Sequence, residues 1–240
     1  MLKSQIIAKI LIQKCFSGEF KEDDLLPGEI DLCLQFNVSR SSIRAALQIL
    51  SNKGIITIAP KKGSMINKLY EWHWLDKDIL CFISDSPIAP SLIKSLLTAR
   101  LTFEPTICAI CALSADTEDL IAIHQGYELM VKGAQENNRS LFIQGDKLFH
   151  SSITKGCKNP FLLSLDNLLS AAMLISFNQT LEIDINSNLP ALTQHKHLLD
   201  AICKKEAHQA KEISKKLILK ALDKLNLGSV QDLQAIYSHI

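Results

Sequence analysis

The sequence predicts a mainly α protein in two parts. Residues 1–69 carry three helices and a two-stranded β element, a segment 70–89 follows, and residues 90–228 are all α. Three observations lead there. Gly and Pro are few, nine and seven in 240 residues, which favours long helices over a many-turned β fold. Apolar residues recur at helical spacing through most of the chain. Only "GIITIAP" and "SMINKL", separated by "KKGS", read as β-branched runs about a glycine turn. Hydrophobic residues make up 47% of the chain, enough for a core and against bulk disorder.

In order along the chain, Ile6, Ile7, Ile10 and Leu11 give an amphipathic first helix from Lys3 to Phe16, with Gly18 as its stop. Lysines are spaced through this helix and no small-residue cleavage site follows, so it does not read as a secretory signal. "EDDLLPGE" is a bend, and Pro27 and Gly28 lead into a short helix to Phe36. Asn37 turns the chain, and Ser39 is the N-cap of a third helix to about Ser51, closed by Gly54. Three helices and then a β-hairpin are the order of a winged helix-turn-helix. "YEWHWLDKDIL", Tyr70 to Leu80, is aromatic and amphipathic and is expected to pack between two domains. From Pro90 onward helical period predicts helices at 90–113, 117–135, 139–156, 160–180, 190–204 and 206–226, with Pro105 kinking the first. The longest apolar runs are broken by polar residues short of a membrane span.

A net charge of +1 conceals an asymmetry. Residues 1–69 hold ten Lys/Arg against six Asp/Glu, and residues 70–240 hold sixteen against nineteen. The basic end is therefore the end expected to meet a polyanion. Seven cysteines, among them Cys15, Cys33, Cys108, Cys111 and Cys203 at apolar helical positions, read as buried thiols of a reducing cytoplasm. "CAIC" has the spacing of a redox or zinc motif but no second pair, so it reads as core.

On the third helix Ile43, Ala46, Leu47 and Leu50 form one stripe toward the core. Arg40, Arg44 and Gln48 form another face, and Ser39, Ser41 and Ser42 crowd the first turn. A recognition helix presents its N-terminal residues to the major groove, where arginine grips guanine with two hydrogen bonds. Small hydroxyls and helix N-terminal amides suit phosphate. Lys61, Lys62 and Gly63 stand at the tip of the wing. "LLPGEIDLCLQFNVSRSSIRAALQILSNKGII" resembles the signature of GntR-family transcription regulators. The resemblance covers about residues 5–68 and implies DNA contacts from Ser39, Arg40, Ser41, Ser42 and Arg44, with Gly63 and its lysines as wing tip. Where many members have a basic residue after the glutamate, this chain has Ile30.

In the second part, Arg100 and Glu104 stand one helical turn apart, as do Asp146 and His150, and His195 lies on a separate helix. Their residue types fit a divalent-metal site, a carboxylate-ligand site, or a buried polar network satisfied within itself. "ARLTFEPTICAICAL", "GDKLFHSSITKGCKNPFL" and "HKHLLDAI" resemble the effector (FCD-type) domain of the FadR-like branch of that family. The resemblance implies an antiparallel helical bundle around a small-molecule pocket. It gives Asp146, His150 and His195 as ligands of a divalent metal such as Zn or Ni, with a fourth expected at Leu217. Similarity to sugar-acid-responsive members implies an effector with a carboxylate for Arg100 and hydroxyls for Asp146, the histidines and Asn178. The expectation is a cytoplasmic, homodimeric, sequence-specific repressor, not an enzyme, binding a palindromic operator and no membrane. The alternatives are a metal-dependent enzyme and a DNA-binding dimer without effector.

Overall fold

The computed structural model describes residues 2–59, 62–84, 88–180 and 189–225, with backbone alone at 83–84, 177–180 and 189. The chain divides into two compact units, Met1–Ala89 and Pro90–Ile240.

In the first unit α1 (Lys3–Phe16) buries Ile7, Ala8, Leu11 and Ile12. Gly18 ends it with φ +80°, and its N–H bonds back to the Cys15 carbonyl at 3.1 Å. α2 (Glu29–Phe36) stops at Asn37, whose φ of 50° is left-handed. α3 (Arg40–Asn52) buries Ile43, Ala46, Leu47 and Leu50, the stripe expected from their spacing. β1 (Ile56–Ala59) and β2 (Gly63–Ile66) pair antiparallel with Ile56 opposite Ile66. Between α3 and β1, Gly54 has φ +70°, and a Cβ there would stand 2.4 Å from the Glu71 carbonyl oxygen. Only glycine fits both demands.

The segment expected to lie between the domains belongs, as far as Ser84, to the first unit. Trp72 is buried. It stacks on Trp74 at 5.4 Å between ring centres, and both meet Phe16. The Trp72 indole N–H donates to the Asn67 carbonyl. Lys53, itself buried, donates to Asp76 at 2.6 Å and Asp78 at 2.8 Å, and the His73 N–H reaches the Lys53 carbonyl. α4 (Lys77–Ser84) then adds Ile79 to the same core. A buried ammonium needs such partners, and they tie residues 72–78 to the end of α3.

In the second unit α5 (Pro90–Ser114) runs unbroken through Pro105. It has the length and apolar content of a membrane span, yet here it is a core helix. Ile107, Cys108 and Cys111 are buried in the core of the unit, and α5 packs on the helices Arg139–Gly156, Asp166–Thr180 and Ala207–Lys224, here α7, α9 and α11. α6 (Thr117–Gln135) opens on an Asp116–Asp119 capping box, and α7 (Arg139–Gly156) on an Asn138 cap. These two helices are antiparallel and nearly touch. A Cβ on Gly126 would lie 2.5 Å from the Phe149 nitrogen, and one on Gly133 equally close to the Phe142 nitrogen. Backbone meets backbone, so α7 has one register, and that register fixes where Asp146 and His150 stand. Gly126→Ala is accordingly expected to cost about 1–3 kcal/mol through overpacking. Urea unfolding of the purified protein checks this, with an unchanged midpoint as the contrary result.

The single helix expected over 160–180 is two: α8 (Pro160–Leu163) and α9 (Asp166–Thr180). Asn159 caps α8 through the N–H groups of Phe161 and Leu162. The Ser164 hydroxyl then takes the Phe161 carbonyl at 2.6 Å, and the Leu165 N–H takes that of Leu162. α10 (Leu189–Cys203) and α11 complete the unit. Residues 226–228, the predicted end of this part, lie outside the described residues.

Cys108, Cys111 and Cys157 are buried and Cys15 and Cys33 half-buried, while Cys203, expected inside, is exposed at the end of α10. Burial pushes the Cys108 thiol up to about 12. It pushes Cys111 higher still, with Cys108 adding to the effect. Thiols so reluctant to ionise are poor nucleophiles and poor ligands, so "CAIC" is core.

Candidate functional site

The two units each present a candidate site. On the first, Ser39 caps α3, accepting from the Ser42 N–H at 3.4 Å, and its hydroxyl contacts those of Ser41 at 2.9 Å and Ser42 at 3.0 Å. Arg40, Ser41, Arg44 and Gln48 lie on the exposed face of α3, opposite its buried stripe. The Arg44 side chain is 68% exposed, yet it is not loose. Its Nε donates to both carboxylate oxygens of Glu29, at 3.1 and 3.0 Å. Glu29 is the first residue of α2, where a carboxylate is favoured by the helix dipole. Sequence reading passed over Glu29 as a positioning group. The pairing leaves the terminal guanidinium nitrogens for an outside partner. Lys62 and Gly63 are exposed at the hairpin turn, where Gly63 has φ +97°; Lys61 lies outside the described residues. Ile30 and Leu34 are 59% and 77% exposed, so this side of α2 offers no charge to a phosphate.

On the second unit α7 and α10 bring Asp146, His150 and His195 together, all buried. Asp146 Oδ1 lies 3.0 Å from His195 Nε2 and 3.8 Å from His150 Nε2, and the two Nε2 atoms are 3.3 Å apart. Phe149, fully buried, packs edge-on against both imidazoles at 5.4 Å and sets their planes. His195 Nδ1 is 2.8 Å from the Ala191 carbonyl oxygen. A carbonyl only accepts, so Nδ1 carries a proton, and in the neutral ring Nε2 is a bare lone pair. That lone pair points at a carboxylate oxygen. Asp146 Oδ1 is itself buried and has no aligned hydrogen-bond partner. Three ligand-type atoms converge, and a proton on one of the Nε2 atoms or a cation between them relieves the repulsion.

A proton is one such charge. Burial opposes a charged His195, but Asp146 and the Ala191 carbonyl raise its pKa above the ordinary value. Burial also opposes the Asp146 carboxylate, yet His150, His195 and Arg100 hold its pKa down. For His150 burial prevails over Asp146 and Glu104 and lowers the pKa, leaving a neutral ring.

A divalent metal is the other candidate. Metal–ligand bonds of about 2.0–2.2 Å place ligands on a tetrahedron's edges about 3.3 Å apart, near the separations seen. The residues therefore fit a metal through three ligands. Leu217, at the position expected for a fourth, packs on the hydrophobic core of the unit. His197 and His208 are exposed.

Arg100, expected to take an effector carboxylate, is paired within its own helix. Buried on α5, it donates from Nε and Nη2 to Glu104 at 2.6 and 3.2 Å. The i,i+4 spacing that marked the pair is the spacing at which it neutralises itself. Glu104 Oε2 in turn lies 3.8 Å from His150 Nδ1. A small cavity lies beside these groups, lined by Glu104, Cys108, His150 and Thr154 with Ile107, Ile153, Leu169 and Met173. It has room for about one water. The backbone of Asn178 lies in α9; its side chain is outside the described residues.

Comparison with known proteins follows the same division. Residues 95–220 match the FCD domain, and residues 3–66 match the family described as bacterial regulatory proteins, gntR family. The galactonate operon transcriptional repressor of Escherichia coli (strain K12) is 27% identical over 224 residues, covering 93% of this chain and 96% of that one. The HTH-type transcriptional repressor NanR of Klebsiella aerogenes is 28% identical over 184 residues, covering 72% of this chain and 67% of that one. Among solved structures, Lar, which controls expression of the Listeria monocytogenes agr system, superposes with a TM-score of 0.61 at 15% identity over 94% of this chain and 97% of that one. Escherichia coli McbR/YncC gives 0.52 at 15% identity over 94% and 98%. These two superpositions show a shared fold.

Proposed function

The chain belongs to the gntR family of bacterial regulatory proteins and carries an FCD domain, a DNA-binding regulator with an effector-binding second unit, and from that premise we propose a homodimeric, cytoplasmic repressor relieved or tuned by a sugar acid. The observation that carries the effector reading is the convergence of Asp146, His150 and His195 on one point. Those three residues would hold a divalent cation such as Zn or Ni. Bound there, such a cation supplies a Lewis-acid partner for a carboxylate, the role for which Arg100 is not free. With Leu217 in place of a fourth ligand, a coordination position is left to the effector or to water. The relative named for the galactonate operon favours hexonates.

On the first unit the α3 N-terminal face reads base edges. Arg44, aimed by Glu29, and Arg40 are the base-reading groups, with Ser39, Ser41, Ser42 and the wing residues Lys61, Lys62 and Gly63 on phosphate. Two such units bind a palindrome with half-sites about one helical turn apart. The cavity beside Glu104 and His150 is water-sized, so a hexonate bound there selects an opened arrangement of the bundle. A ligand changes operator affinity by its preference for one arrangement over another, and the segment Tyr70 to Leu80 is the proposed lever.

Thermal unfolding with a panel of hexonates and hexuronates, with and without nickel or zinc, tests the effector assignment. At a hundredfold excess over Kd a ligand of the folded state adds about 2.7 kcal/mol. Silence across the panel in both conditions removes the sugar-acid reading.

A further inference from the structure

We propose that Glu104 is the outer-shell carboxylate of the Asp146–His150–His195 centre, orienting His150 and strengthening its hold on a divalent cation, with Arg100 keeping Glu104 in place. This rests on the reading of that trio as a cation site.

An imidazole that ligates through Nε2 presents its Nδ1–H on the opposite edge, and that proton needs an acceptor to fix the ring. His195 has one, the Ala191 carbonyl at 2.8 Å. His150 Nε2 faces the centre, 3.3 Å from His195 Nε2. Across from its Nδ1 stands Glu104 Oε2, at 3.8 Å. That exceeds a direct hydrogen bond, but Glu104 and His150 both line the cavity, which has room for one water to bridge them. Each ring is then held from behind, one by backbone and one by carboxylate.

The charges agree. Glu104 is 4% exposed and Arg100 is 7% exposed. A buried ion pair confers little stability on its own account, so its presence calls for another use. Beside Asp146, a second buried carboxylate would be costly. Arg100 cancels that charge with two hydrogen bonds on Glu104 and leaves it able to accept from His150. With neutral imidazoles the buried group carries one net negative charge, suited to a divalent cation. Arg100 and Glu104 are thus positioning residues, and the effector carboxylate is left to the cation.

The test is titration of the full chain with Co(II), read by its visible ligand-field absorption, for wild type, Glu104→Gln, and the double variant Arg100→Gln/Glu104→Gln. The double variant removes the stranded guanidinium, so it keeps the measurement meaningful if the single variant folds poorly. The expected result is affinity lower by about 10–100-fold in the double variant and in any folded single variant, with an altered band. In chelator-treated wild type, 15N shifts should place the His150 proton on Nδ1, and the variants should lose that preference. Wild-type affinity and an unchanged band in the double variant would overturn the role of Glu104 while leaving the cation site intact. Failure of wild type itself to bind Co(II) overturns both.

Discussion

Replacing Asp146 with alanine is expected to abolish the stabilisation that the proposed divalent cation would confer. Asp146 would supply the one anionic ligand of the proposed site, and its buried Oδ1 has no aligned hydrogen-bond partner. Without it two neutral imidazoles remain, which is too few ligands for a structural or catalytic zinc site. In wild type, saturating zinc or nickel at a hundredfold excess over Kd is expected to add about 2.7 kcal/mol, or about 5–10 °C in Tm for a unit of this size. The shift falls to zero in Asp146→Ala. It also shrinks in wild type as pH falls, because His195, whose pKa is raised, must shed its proton before Nε2 can ligate. Calorimetric scans with chelator and with metal at two pH values check both statements. An equal metal-induced shift in wild type and Asp146→Ala would place the cation elsewhere. His150→Ala should likewise blunt effector response while leaving DNA binding by the effector-free protein intact.

Arg44→Ala is expected to weaken specific DNA binding by about 1–3 kcal/mol, up to roughly two orders of magnitude in Kd. Arg44 is mostly exposed and lies off the buried stripe of α3, so the fold should not suffer. Its Nε is held by Glu29 at about 3 Å, which fixes the fork before DNA arrives and lowers the entropy cost of gripping a base. Glu29→Gln should therefore cost affinity too, by less than the loss of Arg44 itself. Anisotropy titration on a duplex selected by the wild-type protein measures both. Full affinity in Arg44→Ala would remove this arginine from the interface.

Much of the first unit was legible because its local signals agree. Gly18, Asn37 and Gly54 stop elements with φ values that few other residues adopt, Ser39 caps α3, and two β-branched runs flank one glycine turn. What escaped was long-range. Nothing near Trp72 in sequence announces Phe16 as its neighbour, so the sequence does not show that the aromatic segment joins this core. In the second unit the Asp146–His150 spacing pointed correctly to one helix face, and the structure brings His195 to it. The break between α8 and α9 was hidden because no glycine or proline stands at it; the turn there is made by residues with no breaker signal. Arg100 has a partner that sequence did not assign it. Spacing shows that Arg100 and Glu104 can meet, but not that burial makes them satisfy each other. The same pairing exposes Glu104 as a neighbour of His150, which no motif marked.

On the proposed function, the N-terminal face of α3 reads sequence in DNA. Rounds of selection from a random duplex pool with the full-length protein, run side by side with Arg44→Ala, test it most directly. Wild type should enrich an inverted repeat with guanine at one fixed position in each half-site and centres about 10 bp apart, and the variant should lose preference at that position alone. No enrichment by wild type, or the same motif from both proteins, would contradict the account.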